Sequence, residues 1–178
     1  MNPDPDPAGK RLRKSECVIS GLEIEIVREA SDWDSAADEL VRRAAEHAYV
    51  VTRGEEAAEL CIVLADDLRV AALNKEYRGK DGPTNVLSFP ASDMPEDLFP
   101  GMTPVLGDII LARETIAREA AEQKKSFADH LSHLTIHGVL HLLGHDHLDD
   151  LEAEEMEALE RDILEDLGIE DPYAADHT

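Results

Sequence analysis

The sequence predicts an α+β domain with a small mixed β-sheet packed against several helices, and three observations carry that expectation. At 178 residues the chain has the length of one domain. Its short strand-like apolar runs all end by residue 112, whereas continuous helical periodicity fills the chain from residue 113 onward. Strands first and helices last is the order of an α+β fold rather than of an alternating doubly wound one.

The elements follow in order. Residues 1–15 combine proline and charge without an apolar period and are expected to form a disordered arm. One domain then runs over 16–173, with a flexible tail over 174–178. Residues 18–29 alternate apolar and polar side chains at Leu22, Ile24 and Ile26, the period of a strand with one buried face. Ser31 or Asp32 is the expected cap of a helix reaching about Tyr49, with Trp33, Ala37, Val41, Ala44 and Ala48 on its apolar stripe. Residues 60–65 are a continuous apolar run suited to a central strand, and Asp66 or Asp67 caps the next helix, ending near Tyr77. A loop over 78–83 leads to strands at 85–89 and 105–112, separated by a proline-rich connection. Three helices close the chain, over 113–125, 126–143 with Ser126 as N-cap, and 151–167 ending at Gly168.

Composition narrows the function classes. No apolar run approaches the roughly 18 residues of a membrane span, and the N-terminus has no apolar signal region, so a cytoplasmic protein is expected. Cys17 and Cys61 fit reduced thiols better than a disulfide scaffold. The formal net charge of −23 would repel a polyanion, but the acidity is concentrated at 149–171. Arg78, Lys80, Arg113, Arg118, Lys124 and Lys125 leave room for a basic surface, so RNA is not excluded.

Six of the eight histidines fall between His130 and His147, a density that metal binding explains. His137 and His141 stand four apart, on one helix face and within reach of one ion. Gly144 can end that helix and turn the chain so that His147 returns as the third ligand, completing H-x-x-x-H-x-x-G-x-x-H. His145 and His133 are rival third ligands; a break at Gly144 takes His145 off the shared face, and His133 suits a supporting role better. Three imidazoles favour one Zn²⁺ per chain, with Ni²⁺, Cu²⁺ and Fe²⁺ left open by ligand type, and leave a fourth position for water, which is the arrangement of a catalytic rather than a structural site. The spacing is that of metzincin proteases, except that the glutamate serving them as general base is Gly138 here. That glycine is expected to leave space above the metal.

HGVLHLLGHDH at 137–147, YRGKDGPTNVLSFP at 77–90 and LGDII at 106–110 together resemble the bacterial YbeY endoribonucleases, and MEALERDILEDLGIEDPY at 156–173 is similar to that family too. The resemblance implies a zincin-like α+β fold with one zinc ion. It also implies a single-strand-specific, metal-dependent endoribonuclease that matures the 3′ end of 16S ribosomal RNA and serves ribosome quality control. The implied partners are ribosomal RNA and the small ribosomal subunit, with ribosomal or assembly-factor proteins. The family's catalytic arginine falls on Arg78, whose guanidinium could grip a phosphate and stabilise its developing charge. Departures occur at His145, where tyrosine is frequent, and at Leu148, where an acid often follows the last histidine. Asn85, Ser88 and Asp108 could line the cleft, but turn and strand roles explain them equally well. Two other classes stay open: a zinc hydrolase of peptides or amides, and a non-catalytic ribosome-assembly protein whose acidic last helix engages basic partners.

Overall fold

The computed structural model describes residues 21–91, 103–145 and 149–172. The expected arm over 1–15, the tail over 174–178 and His147 lie outside the described residues. Four strands and five helices are found among those described, in the order β1 (Leu22–Arg28), α1 (Ala36–Arg53), β2 (Ala58–Ala65), α2 (Asp67–Arg78), β3 (Val86–Pro90), β4 (Val105–Ala112), α3 (Arg113–Glu122), α4 (Phe127–Leu142) and α5 (Asp150–Asp166). No helix among them is long and apolar enough to cross a membrane.

The sheet has the order β1-β2-β4-β3; β1 and β4 run parallel to β2, and β3 runs antiparallel to β4. It is the mixed sheet of an α+β fold, as expected. Alternation along the two central strands sorts the core. Leu60, Ile62 and Leu64 of β2 with Ile109 and Leu111 of β4 join the main core shared with α1, α4 and α5. Ala65, Ile110 and Ala112 turn the other way, and with Leu87 they pack against Val70 and Leu73 of α2. Helices α4 and α2 therefore lie on opposite faces of the sheet.

Several boundaries differ from expectation for local reasons. Helix α1 begins at Ala36, not at Ser31 or Asp32, because the segment before it is held as a turn: Arg28 donates to the carbonyls of Trp33 and Asp34, and Asp34 Oδ1 accepts from the Ala36 N–H at 3.0 Å. Trp33 anchors that turn to the sheet, its Nε1–H donating to Ala65 O at 2.9 Å. The helix also runs past Tyr49 to Arg53, where Gly54 closes it with φ of 66°; the β-branched run Val50, Val51, Thr52 weakens helix propensity but does not break the helix. Asp66 caps α2 by accepting from the Arg69 N–H, and Gly79 ends it, so Arg78 is the last helical residue rather than the first loop residue. Helix α3 stops at Glu122 instead of near Lys125, because Lys124 takes a left-handed conformation with φ of 57°.

Candidate metal centre

Helix α4 carries the histidines, and its register on the sheet is set locally. Ser126 is the N-cap, its Oγ accepting from the Asp129 N–H at 3.0 Å. Leu131, Thr135, Ile136, Val139 and Leu140 are buried. Gly138 lets the helix approach β4 closely: a Cβ there would lie 3.1 Å from Ile109 Cγ2. This corrects the expectation that the glycine opens space above a metal. The room it leaves is taken by Ile109, on the sheet side of the helix.

One helical turn apart, His137 and His141 bring their Nε2 atoms to 2.9 Å of each other. Behind the first of them stands Glu160 of α5, whose side chain is 1 % exposed. Glu160 Oε1 accepts from His137 Nδ1–H at 2.5 Å and Oε2 accepts from His133 Nε2–H at 3.1 Å. Burial alone would raise the pKa of this carboxyl; the hydrogen bonds from His133 and His137 outweigh it and hold the pKa down at about 2. An ionised carboxylate only accepts, so the His137 proton sits on Nδ1 and its Nε2 keeps a lone pair facing His141.

The donor set fits a metal such as zinc. A tetrahedral ion with bonds of about 2.0–2.1 Å holds two imidazole nitrogens roughly 3.3 Å apart, close to the spacing found. A carboxylate on the far nitrogen of a ligating histidine is the usual support for such a site. Helix α4 then ends as its glycine predicts. The Gly144 N–H donates to His141 O and the His145 N–H to Leu140 O, with Gly144 at φ of 96°. His145 is therefore outside the helix and off the face of His137 and His141. His133 spends its Nε2 on Glu160, which agrees with a supporting role. His147, the expected third ligand, lies outside the described residues, and these contain no group of three metal-ligating side chains.

Arg78 is exposed at the end of α2, on the sheet face away from α4, and makes no hydrogen bond or ion pair with His137 or His141 among the described residues. Next to it in sequence, Tyr77 borders a groove of about 370 Å³ on that face, which Asp108 also lines. Asn85 and Ser88 have structural partners instead: Asn85 Nδ2 donates to Glu119 Oε1 at 2.9 Å, and Ser88 Oγ to Gly138 O at 3.4 Å. Glu119 Oε1 also accepts from His130 Nε2–H at 3.0 Å, while burial lowers the pKa of that imidazole.

Sequence reasoning missed Glu160 and Glu119. Glu160 lies in the acidic stretch at 149–171, yet it shares helical spacing with Met156, Ile163, Leu164 and Leu167, all buried. An acid on an apolar stripe was the available signal.

Comparison with known proteins agrees with this architecture. A family model described as Endoribonuclease YbeY matches residues 23–168. An endoribonuclease YbeY of Parvibaculum lavamentivorans is 69% identical over 182 residues, covering 99% of this chain and 98% of its own. That of Azorhizobium caulinodans is 50% identical over 157 residues, covering 86% and 97%. Among solved structures, the solution structure of TM1509 from Thermotoga maritima superposes with a TM-score of 0.57 at 28% identity, covering 82% of this chain and 89% of that one. With a histidine-bearing α4 on a mixed sheet and a family match spanning nearly all the described residues, the chain belongs to the YbeY endoribonuclease family.

Proposed function

We propose that this protein is a cytoplasmic, zinc-dependent endoribonuclease, specific for single strands, that acts in 3′-end maturation of 16S ribosomal RNA and in ribosome quality control. The observation that supports it best is the His137–His141 pair on α4, with converging Nε2 atoms and a buried carboxylate behind one of them, in a chain of this family. His137, His141 and His147 would hold one zinc ion. Zinc bound by three imidazoles supplies Lewis acidity and acidifies water toward neutrality.

The protein's own residues supply the rest. Arg78, exposed at the end of α2 and without an ion pair among the described residues, is the proposed catalytic arginine: its guanidinium would grip a phosphate of the RNA and offset developing charge once the bound strand brings that phosphate to it from the histidine pair. Exposed Lys80, Arg118 and Lys124 counter locally the repulsion that a net charge of −23 exerts on RNA. The small ribosomal subunit, with ribosomal or assembly-factor proteins, is the proposed partner, and basic proteins could add further positive charge.

Elemental mass spectrometry on wild type and His147→Ala, paired with cleavage of ribosomal RNA with and without chelator, tests the reading. About one zinc per chain, lost together with cleavage in the variant, is expected. Zinc that survives in His147→Ala would move the third ligand to another histidine. Inert RNA alongside chelator-sensitive cleavage of casein would replace the nuclease with a peptidase.

A further inference from the structure

We propose that Glu160 is the positioning residue of this site: a buried carboxylate that fixes His137 with its Nε2 lone pair directed at the metal, while His133 holds the carboxylate in that orientation. The proposal rests on the metal reading of His137 and His141.

Three features lead to it. Glu160 occupies a place where an aliphatic side chain would pack, between buried Met156 and buried Ile163 and Leu164 on one stripe of α5. Burying a carboxylate is unfavourable unless its lone pairs are well used, so a role in packing alone would favour leucine. Both oxygens are used, and on the same helix: Oε1 on His137 at 2.5 Å and Oε2 on His133 at 3.1 Å, spanning one turn of α4.

The double grip has a geometric consequence. A carboxylate held by one oxygen can swing about its broad terminal torsion. Held by both, its plane is fixed relative to α4, and the two rings it joins stand 6.5 Å apart at 78°. The His137 ring then cannot flip or move its proton to Nε2 without losing its acceptor, so the lone pair stays on the side of His141. The negative charge also makes the imidazole a stronger donor to a dication.

The test uses the full chain and zinc alone. Affinity is measured by competition with a chromophoric chelator for wild type, Glu160→Gln and His133→Phe, with far-UV circular dichroism to check the fold. Glu160→Gln should bind zinc about 10- to 100-fold more weakly while staying folded, and His133→Phe should lose less. Long-range nitrogen–proton NMR of metal-free wild type should find the His137 proton on Nδ1. That spectrum decides the matter should Glu160→Gln not fold. Wild-type affinity in folded Glu160→Gln, or a proton on Nε2 in the wild type, overturns the proposal. A wild type that takes up no stoichiometric zinc overturns the metal reading beneath it, a distinct failure.

Discussion

At Gly138 a missing methyl group sets how close α4 comes to the sheet, and the sequence offered a different reading of that absence. Compared with a metalloprotease motif, glycine stands for a lost base; in the fold it is a contact with Ile109. Gly138→Ala should therefore cost about 1 kcal/mol in urea unfolding, the clash exceeding the gain in helix propensity. Combined with Ile109→Ala the alanine should become neutral or stabilising, and strict additivity of the two would refute the contact. Trp33→Phe keeps the ring but removes the donor to Ala65 O, leaving that buried carbonyl short of a partner. A loss of about 1–2 kcal/mol is expected from thermal unfolding. The spacing of His137 and His141 was legible because it is local and periodic. Glu160 was not, because its partners lie on another helix and the acids around it mask its place on the stripe.

Elements were legible where capping chemistry is explicit and blurred where tertiary contacts move a boundary. Asp66, Ser126 and Gly168 stand where their side chains or backbone freedom require. The start of α1 was misplaced because Arg28, on β1, holds the preceding turn. Ser126→Ala removes the acceptor of the Asp129 N–H and should lower stability by about 1 kcal/mol. Within α1, His47 is buried and its Nδ1–H donates to Arg43 O. Desolvation lowers its pKa below 6.5, against a smaller raising effect of that hydrogen bond. The unfolded chain then takes up a proton that the folded one resists, so stability is full above pH 6.5 and declines as pH falls through the folded pKa. In His47→Leu the drop in urea midpoint between pH 7 and pH 5 should shrink; an undiminished drop would show that His47 does not contribute.

For the molecule as a whole, the mixed sheet was legible from strand composition, but its order was not. Strand β4 enters between β2 and β3, a long-range choice that short apolar runs do not encode. The main core is built from residues such as Ile62, Leu64, Ile109, Leu111 and Leu140, none of them a candidate ligand. Removing the proposed zinc with a chelator should therefore leave a folded protein by circular dichroism, with its melting temperature lowered by the lost binding energy, about 2.7 kcal/mol when free metal stands 100-fold above Kd. Unfolding at 25 °C on chelation would contradict this. The separation of 23 residues between His137 and Glu160 has a consequence in time. At about 5–20 residues per second of synthesis, the imidazole pair leaves the peptidyl-transfer centre roughly one to five seconds before its carboxylate exists. A nascent chain thus has both imidazoles before it has the carboxylate that holds one of them, and of the described elements α5 is the last to be made.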